Sequence, residues 1–158
     1  MVDKVLFSSS KDWWETPQVR WDHWNEEFHF DLDAAASEAN TKCKYFFTEK
    51  DNALIQNWYR PDEGIKTIWV NCPYGRGITN KWVKKMYEES VKGATVVALL
   101  PARTDTKWFH EFIWKKATEI RFIKGRLKFE LDGKVMLDKK GRPQSAPFPS
   151  MIVVWRNI

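Results

Sequence analysis

Apolar residues along the chain fall into short blocks whose spacing switches between two periods. From Phe28 to Asp33 apolar and polar residues alternate (Phe-His-Phe-Asp-Leu-Asp), which predicts a strand ending at Asp33. Ala34 to Asn40 predicts a turn into a short helix. The run Ile65–Val70 predicts a second strand. Past it the period lengthens. Thr79 or Asn80 can cap a helix whose inward face is Trp82, Val83, Met86, Tyr87 and Val91, and Gly93 stands where a helix C-terminus favours glycine. Ala94–Leu100 is nearly continuous in apolar residues, as in a strand covered on both faces, and Pro101 stops it. Asp105 or Thr106 opens the next helix, with Trp108, Phe109, Phe112 and Ile113 on one side. Ile120–Ile123 reads as a short strand. Arg126–Leu131 and Lys134–Leu137 flank Asp132-Gly133, a strong hairpin signal. A polar loop runs from Asp138 to Gln144, and Met151–Trp155 reads as the last strand. Strands alternating with helices predict an α/β fold with a mostly parallel sheet, the hairpin being an antiparallel addition. Residues 1–12 read as a loose lead. With neither a linker nor a repeat after them, residues 1–158 read as a single domain.

Composition narrows the classes. A chain of 158 residues with 43% hydrophobic content can bury a sizeable core. It has no apolar run of about 18 residues, so no membrane span is expected. Its first residues, Met-Val-Asp-Lys-Val-Leu-Phe-Ser, lack the apolar stretch of a signal peptide, which makes the cytoplasm the expected location. Two cysteines, Cys43 and Cys72, make no disulfide framework. The three histidines form no H-x-x-x-H pair, so no metal site is expected. The net charge of +5 and the basic pI near 9.2 suit phosphate backbones. Ten tryptophans and ten phenylalanines strengthen that reading, because rings stack on splayed bases, although most such rings fill cores.

The chemistry concentrates at Asn71-Cys72-Pro73-Tyr74-Gly75, where the Ile65–Val70 strand stops. Ligands of open α/β sheets bind outside the carboxyl ends of the strands. A carboxamide, a backbone carbonyl and an aromatic ring placed there can hold a planar amine by two acceptors and one stacking face. Adenine's exocyclic amine is a poor nucleophile, since its lone pair is delocalised into the ring. Acceptors on its two hydrogens, the Asn71 side-chain oxygen and the Cys72 carbonyl, localise that lone pair. Pro73 stiffens the turn through its fixed φ, and Tyr74 stacks on the base. No strong base is needed. Read by itself, the segment also suits a plain strand-to-turn exit.

Several further segments occur in a fixed order: Trp14-Glu-Thr16-Pro17; Leu32-Asp33-Ala-Ala-Ala36 followed by Asn40 and Cys43; Tyr45-Phe46; Asp51-Asn-Ala-Leu54 with Trp58; Leu99-Leu-Pro-Ala-Arg103-Thr-Asp-Thr106; Trp108-Phe109-His110; Ile123-Lys-Gly-Arg126-Leu-Lys-Phe129; and Ala146-Pro-Phe148. Together with Asn71–Gly75 they resemble the Dam-type DNA N6-adenine methyltransferases of bacteriophages and bacteria. The resemblance covers most of the chain. It departs from the family at two places. Cys72 replaces the first proline of the usual Asn-Pro-Pro-Tyr, which keeps the carbonyl and loses the fixed φ. Ala34–Ala36 stands where many methyltransferases carry a glycine-rich loop.

The resemblance implies a Rossmann-like methyltransferase domain that uses S-adenosylmethionine to methylate adenine N6 in DNA after flipping the base out. It assigns catalysis to Asn71, Cys72, Pro73 and Tyr74. It assigns the cofactor to Trp14, Thr16, Pro17, Asp33, Ala34, Ala35, Asp51, Leu54 and Asn71. Asp33 would meet the ammonium or the ribose hydroxyls, Asp51 the adenine amine and Leu54 the adenine ring. Read without the resemblance, Asp33 suits a helix N-cap, Asp51 a surface acid and Thr16-Pro17 a loop. Arg103, Lys107, Lys124, Arg126 and Lys128 would face DNA, as would Lys134, Lys139, Lys140 and Arg142 in the hairpin and loop; Lys107, Lys124, Arg126 and Lys128 suit solvated strand and helix faces equally, and more commonly. Residues 126–147 are the candidate recognition element, and a brief or weak sequence preference follows from their small size. Host cytoplasm is the expected setting for a phage-encoded chain. The rival readings are another planar amine, in RNA or on a glutamine side chain, and a non-catalytic DNA-binding module.

Overall fold

The structure, a computed structural model, describes residues 14–156, and the expected lead at 1–12 lies outside them. The described chain enters a helix before it enters the sheet. α1 (Gln18–Phe28) buries Trp21, Trp24 and Phe28, a stripe of helical period. His29 closes it in the left-handed region at φ 56°, and Asn25 Oδ1 accepts from Phe30 N at 2.9 Å. The strand expected over Phe28–Asp33 is therefore only β1 (Leu32–Asp33). The alternation that suggested a longer one comes from burial of a different kind. Phe28 stacks on Phe30 at 5.7 Å, and Phe30 packs on Trp69 at 5.3 Å.

Ala34–Asn40 makes turns, not the expected helix. Ser37 N donates to Asn40 Oδ1 at 2.7 Å and Asn40 N donates to Ser37 Oγ at 3.2 Å, local bonds that replace helical ones. β2 (Tyr45–Phe46), three 3₁₀ turns and β3 (Thr67–Val70) follow. α2 (Thr79–Lys92) starts after Ile78 with no side-chain cap, so neither Thr79 nor Asn80 caps it. The Thr79 hydroxyl instead accepts from Gly75 N at 3.0 Å. Trp82, Val83 and Met86 point inward as expected and Tyr87 is half-buried. Val91 is 61% exposed, because the last turns rotate Glu89 and Ser90 inward in its place.

Glu89 is a buried acid with every oxygen used. It accepts from Trp58 N and Tyr59 N at 2.8 and 2.9 Å, and from Lys85 and Lys92 at 3.1 and 2.6 Å. Burial alone would raise its pKa, but the bonds from Lys92, Tyr59, Lys85 and Trp58 outweigh that and hold it below the ordinary value. The segment before β3 is thereby fixed to α2. Gly93 lets that segment approach closely, since at φ 130° a Cβ there would sit 2.9 Å from Tyr59 Cζ.

β4 (Thr95–Pro101), α3 (Lys107–Phe112) capped by Thr106, β5 (Glu119–Phe122), β6 (Glu130–Leu131), β7 (Lys134–Val135) and β8 (Ser150–Trp155) complete the chain. The six-stranded sheet has the order β2-β1-β3-β4-β8-β5. β2, β1, β3 and β4 pair in parallel, and β8 runs antiparallel to both β4 and β5. The hairpin is thus not the only antiparallel part. β8 starts where β4 and β5 end, with Ser150 opposite Pro101 and Met151 opposite Phe122, so it can only run back between them. β6 and β7 form a separate ribbon turning at Asp132-Gly133, where φ values of 53° and 78° are those of an Asp-Gly turn of type I′. Its strands are two residues each, shorter than expected. Leu127 and Phe129 turn into the core, and Glu130 pairs its backbone with Glu15 at 2.9 and 3.2 Å.

Candidate active site

The chain leaves β1 for β2 on one side and returns to β3 on the other, so the strand order reverses at β1. In such sheets the crevice at the reversal, outside the carboxyl ends, is the natural ligand position. Asp33 ends β1 and Asn71 follows the end of β3, one on each side of that crevice. Asn71 is 9% exposed. Its Nδ2 donates to the Trp14 carbonyl and, at 3.0 Å, to Thr16 Oγ1. The Tyr74 hydroxyl lies 2.7 Å from Asn71 Oδ1 and 2.8 Å from the Leu99 carbonyl. Tyr74 itself is buried, edge-on to Phe148 at 5.5 Å. Burial pushes its phenol well above the ordinary value, and the neighbouring Cys72 adds to that. The Cys72 thiol is also pushed up by burial, which keeps it protonated and unsuited to nucleophilic attack.

Asp33 is 3% exposed. It accepts from Lys42 N at 3.0 Å and from Ala35 N at 3.3 Å. Burial pushes its carboxyl up to about 7, against those two bonds. A narrow notch of about 20 Å³ lies between Trp14, Thr16, Asp33, Ala35 and Asn71. Beyond it a cleft of about 310 Å³ is walled by Ala34–Ala36, Thr48, Glu49, Leu54 and Pro73. Trp14, Thr16, Asp33, Ala34, Ala35, Leu54 and Asn71 thus meet at these two openings. Pro17 and Asp51 line neither. Pro17 receives the first backbone bonds of α1, and Asp51 Oδ2 accepts from Thr48 N at 2.7 Å and Thr48 Oγ1 at 3.0 Å. On the other side of Tyr74 a larger cleft of about 870 Å³ runs between the start of α2 and α3.

The family model for DNA N-6-adenine-methyltransferase (Dam) matches residues 4–158. The chain belongs to this family. It is 35% identical over 124 residues to the DNA N-6-adenine-methyltransferase of Escherichia phage T1, covering 78% of this chain and 49% of that one. It is 36% identical over 118 residues to the DNA N-6-adenine-methyltransferase of Haemophilus phage HP1 (strain HP1c1), covering 73% of this chain and 64% of the other. The chain therefore spans about half to under two thirds of the length of these curated relatives.

In this Dam-family chain the basic residues expected to face DNA fall in two regions. Arg103 and Lys107 line the 870 Å³ cleft. Arg126 and Lys128 precede the ribbon, and Lys139, Lys140 and Arg142 lie in the loop after it. There Arg142 pairs with Asp138 at 3.2 Å, Lys128 bonds to Ser145 and Arg126 donates to the Ala146 carbonyl at 3.4 Å. Sequence reasoning missed Glu49 and Glu15. Glu49 closely follows the end of β2, a position that strand-end logic could have found once β2 was known. Glu15 accepts from Gly133 N at 3.1 Å and Asn40 Nδ2 at 3.0 Å, and nothing local in the sequence announces that bridge. It also missed Arg76, Lys81 and Lys84, whose signal was their closeness to Tyr74. Among the described residues no group of three His, Cys, Asp or Glu side chains is placed to hold a metal ion, and no helix is long and apolar enough to cross a membrane.

Proposed function

We propose that this chain is a Rossmann-like, S-adenosylmethionine-dependent methyltransferase that acts on adenine N6 in DNA, in the host cytoplasm given the phage origin of both relatives. One observation carries the reading. The Asn71–Tyr74 segment divides two clefts at the end of β3, with Pro73 on the wall of the 310 Å³ cleft and Tyr74 on the wall of the 870 Å³ cleft. A two-substrate reaction needs its reacting atoms brought together at such a partition.

The smaller cleft fits the cofactor. Its volume falls at the lower end of small-molecule sites. The Ala34–Ala36 wall lets a ligand lie close to the backbone, and the Asp33 carboxylate beside the notch suits an ammonium group. Trp14, Thr16 and Asn71 frame the methionine end and Leu54 the adenine ring. Asp51 and Pro17 act from behind, by shaping the Thr48 turn and the start of α1. When bound, S-adenosylmethionine supplies an electrophilic methyl group on sulfur. Asn71 Oδ1 and the Cys72 carbonyl hold the two hydrogens of the target amine and turn its lone pair toward that side. An amide oxygen has two lone pairs, so the Tyr74 hydroxyl leaves Asn71 Oδ1 one free acceptor position. Tyr74 offers its ring to the flipped base, and residues 126–147 with their exposed Lys139 and Lys140 touch the duplex nearby.

Radiolabelled methyl transfer into plasmid, followed by digestion with methylation-sensitive nucleases, tests this directly. Asn71→Ala is expected to abolish transfer while cofactor affinity by calorimetry stays within about tenfold, since the carboxamide acts on the amine in the transition state. Near-normal methylation by that variant would overturn the assignment.

A further inference from the structure

We infer that the cleft beyond Tyr74 is a phosphate track for a nucleic-acid strand, and that Arg76, Lys81 and Lys84 are its principal contacts. The inference rests on the nucleic-acid reading above and adds where the backbone is held. Five cations line this cleft, namely Arg76, Lys81, Lys84, Arg103 and Lys107, against the single carboxylate of Glu111. Glu111 is itself paired with Lys107 at 3.4 Å. Among the described residues Arg76, Lys81 and Arg103 are in no ion pair, and Lys84 reaches only the exposed Glu88 at 3.9 Å, a pairing of little strength.

Two separate elements bring these charges together. Arg76 precedes α2, and Lys81 and Lys84 lie three residues apart on one face of it. Arg103 and Lys107 come from the far end of β4 and the start of α3. The N-terminal end of α2, a helix of 14 residues without a side-chain cap, opens on the same space and adds its field to theirs. Cations gathered in a concave site repel one another and concentrate an anion. At about 870 Å³ the space is larger than one base requires. It begins at Tyr74, so a strand lying in it would pass its phosphates along α2 while one nucleotide turns toward Asn71. On the ribbon side Arg142 pairs with Asp138, while the exposed Lys139 and Lys140 lie in a loop and line neither cleft. The α2–α3 side is therefore where cations gather in one concave site.

The test is binding of a fluorescent DNA duplex to the full chain without cofactor, followed by anisotropy from about 50 to about 200 mM salt. The variant Arg76→Gln/Lys81→Gln/Lys84→Gln should weaken binding about tenfold or more. It should also make the slope of log K against log salt shallower by about 2 to 3, at about 0.9 per lost phosphate contact. Lys44→Gln/Lys66→Gln removes charge near the amino ends of β2 and β3, away from the cleft, and should leave the slope unchanged. Cofactor affinity by calorimetry checks that the triple variant is folded. Should it fail that check, Lys84→Gln alone should lower the slope by about 1. An unchanged slope in the triple variant, or an equal loss in the Lys44/Lys66 control, overturns the track. A wild-type chain that binds no duplex overturns it as well. Loss of methyl transfer by a wild-type chain that binds DNA normally would instead strike the methylation reading and leave the track standing.

Discussion

Tyr74 holds Asn71 before any substrate arrives. Its hydroxyl spans the 2.7 Å and 2.8 Å gaps to Asn71 Oδ1 and the Leu99 carbonyl, so the ring and the hydroxyl have separable tasks. Tyr74→Phe keeps the ring and removes one buried hydrogen bond, which should lower methyl transfer by about fivefold to tenfold while 2-aminopurine fluorescence still reports an extruded base. Tyr74→Ala should lose both. Equal fluorescence signals from Tyr74→Ala and the wild-type chain would rule out stacking. Asp33 offers a second measurement at this scale. Its carboxyl titrates near 7 in the folded chain and near 3.8 when unfolded. The folded state holds the proton across that interval, so the associated stability is full below about pH 4 and is lost as pH rises through about 7. The melting temperature of the free protein should fall over that window, and Asp33→Asn should flatten the fall. Parallel profiles for the two proteins would show that Asp33 is already ionised.

Between elements, buried polar groups serve as fasteners. Glu89 ties the turn before β3 to α2 through its bonds from Trp58 N and Tyr59 N, and Lys85 and Lys92 of α2 hold its other oxygen. Glu89→Ala leaves two backbone N–H groups without their acceptor and removes the carboxylate that faces Lys85 and Lys92, which keep the Gln56 carbonyl and Asn57 Oδ1 as acceptors. It should cost about 3 kcal/mol in urea unfolding, the scale of breaking a buried charge pair. A loss under about 1 kcal/mol would mean that water replaces the carboxylate. The same elements show what a sequence announces. α2 and β4 were legible because their apolar period is unmixed over many residues. α1 was not, because Trp21, Trp24 and Phe28 share an apolar stretch with Phe30 and Leu32, and the period-two pattern at its end masked the helical one. The Asn71–Tyr74 segment was legible from its place after a strand. Glu15 was not, since its partners Asn40, Glu130 and Gly133 are distant in sequence and only the fold brings them together.

At the level of the whole molecule, the sheet places two openings on either side of one short segment, and their characters differ. The smaller is lined by alanines and lies beside a buried acid; the larger is basic and lies between two helices. The direction of β8 completes this arrangement, and periodicity carried no information about it. Its central position has a consequence for the chain's birth on the ribosome. β8 is made after β4 and β5, yet it lies between them and bonds to both. Until residue 155 has left the exit tunnel, β4 keeps one bare edge and β5 has no strand partner among the described residues. Closure of this sheet is therefore withheld until β8 has been made, because its middle is closed by sequence-distant pairing. A nascent chain stalled short of that point would present the apolar edge of β4 to whatever strand it meets.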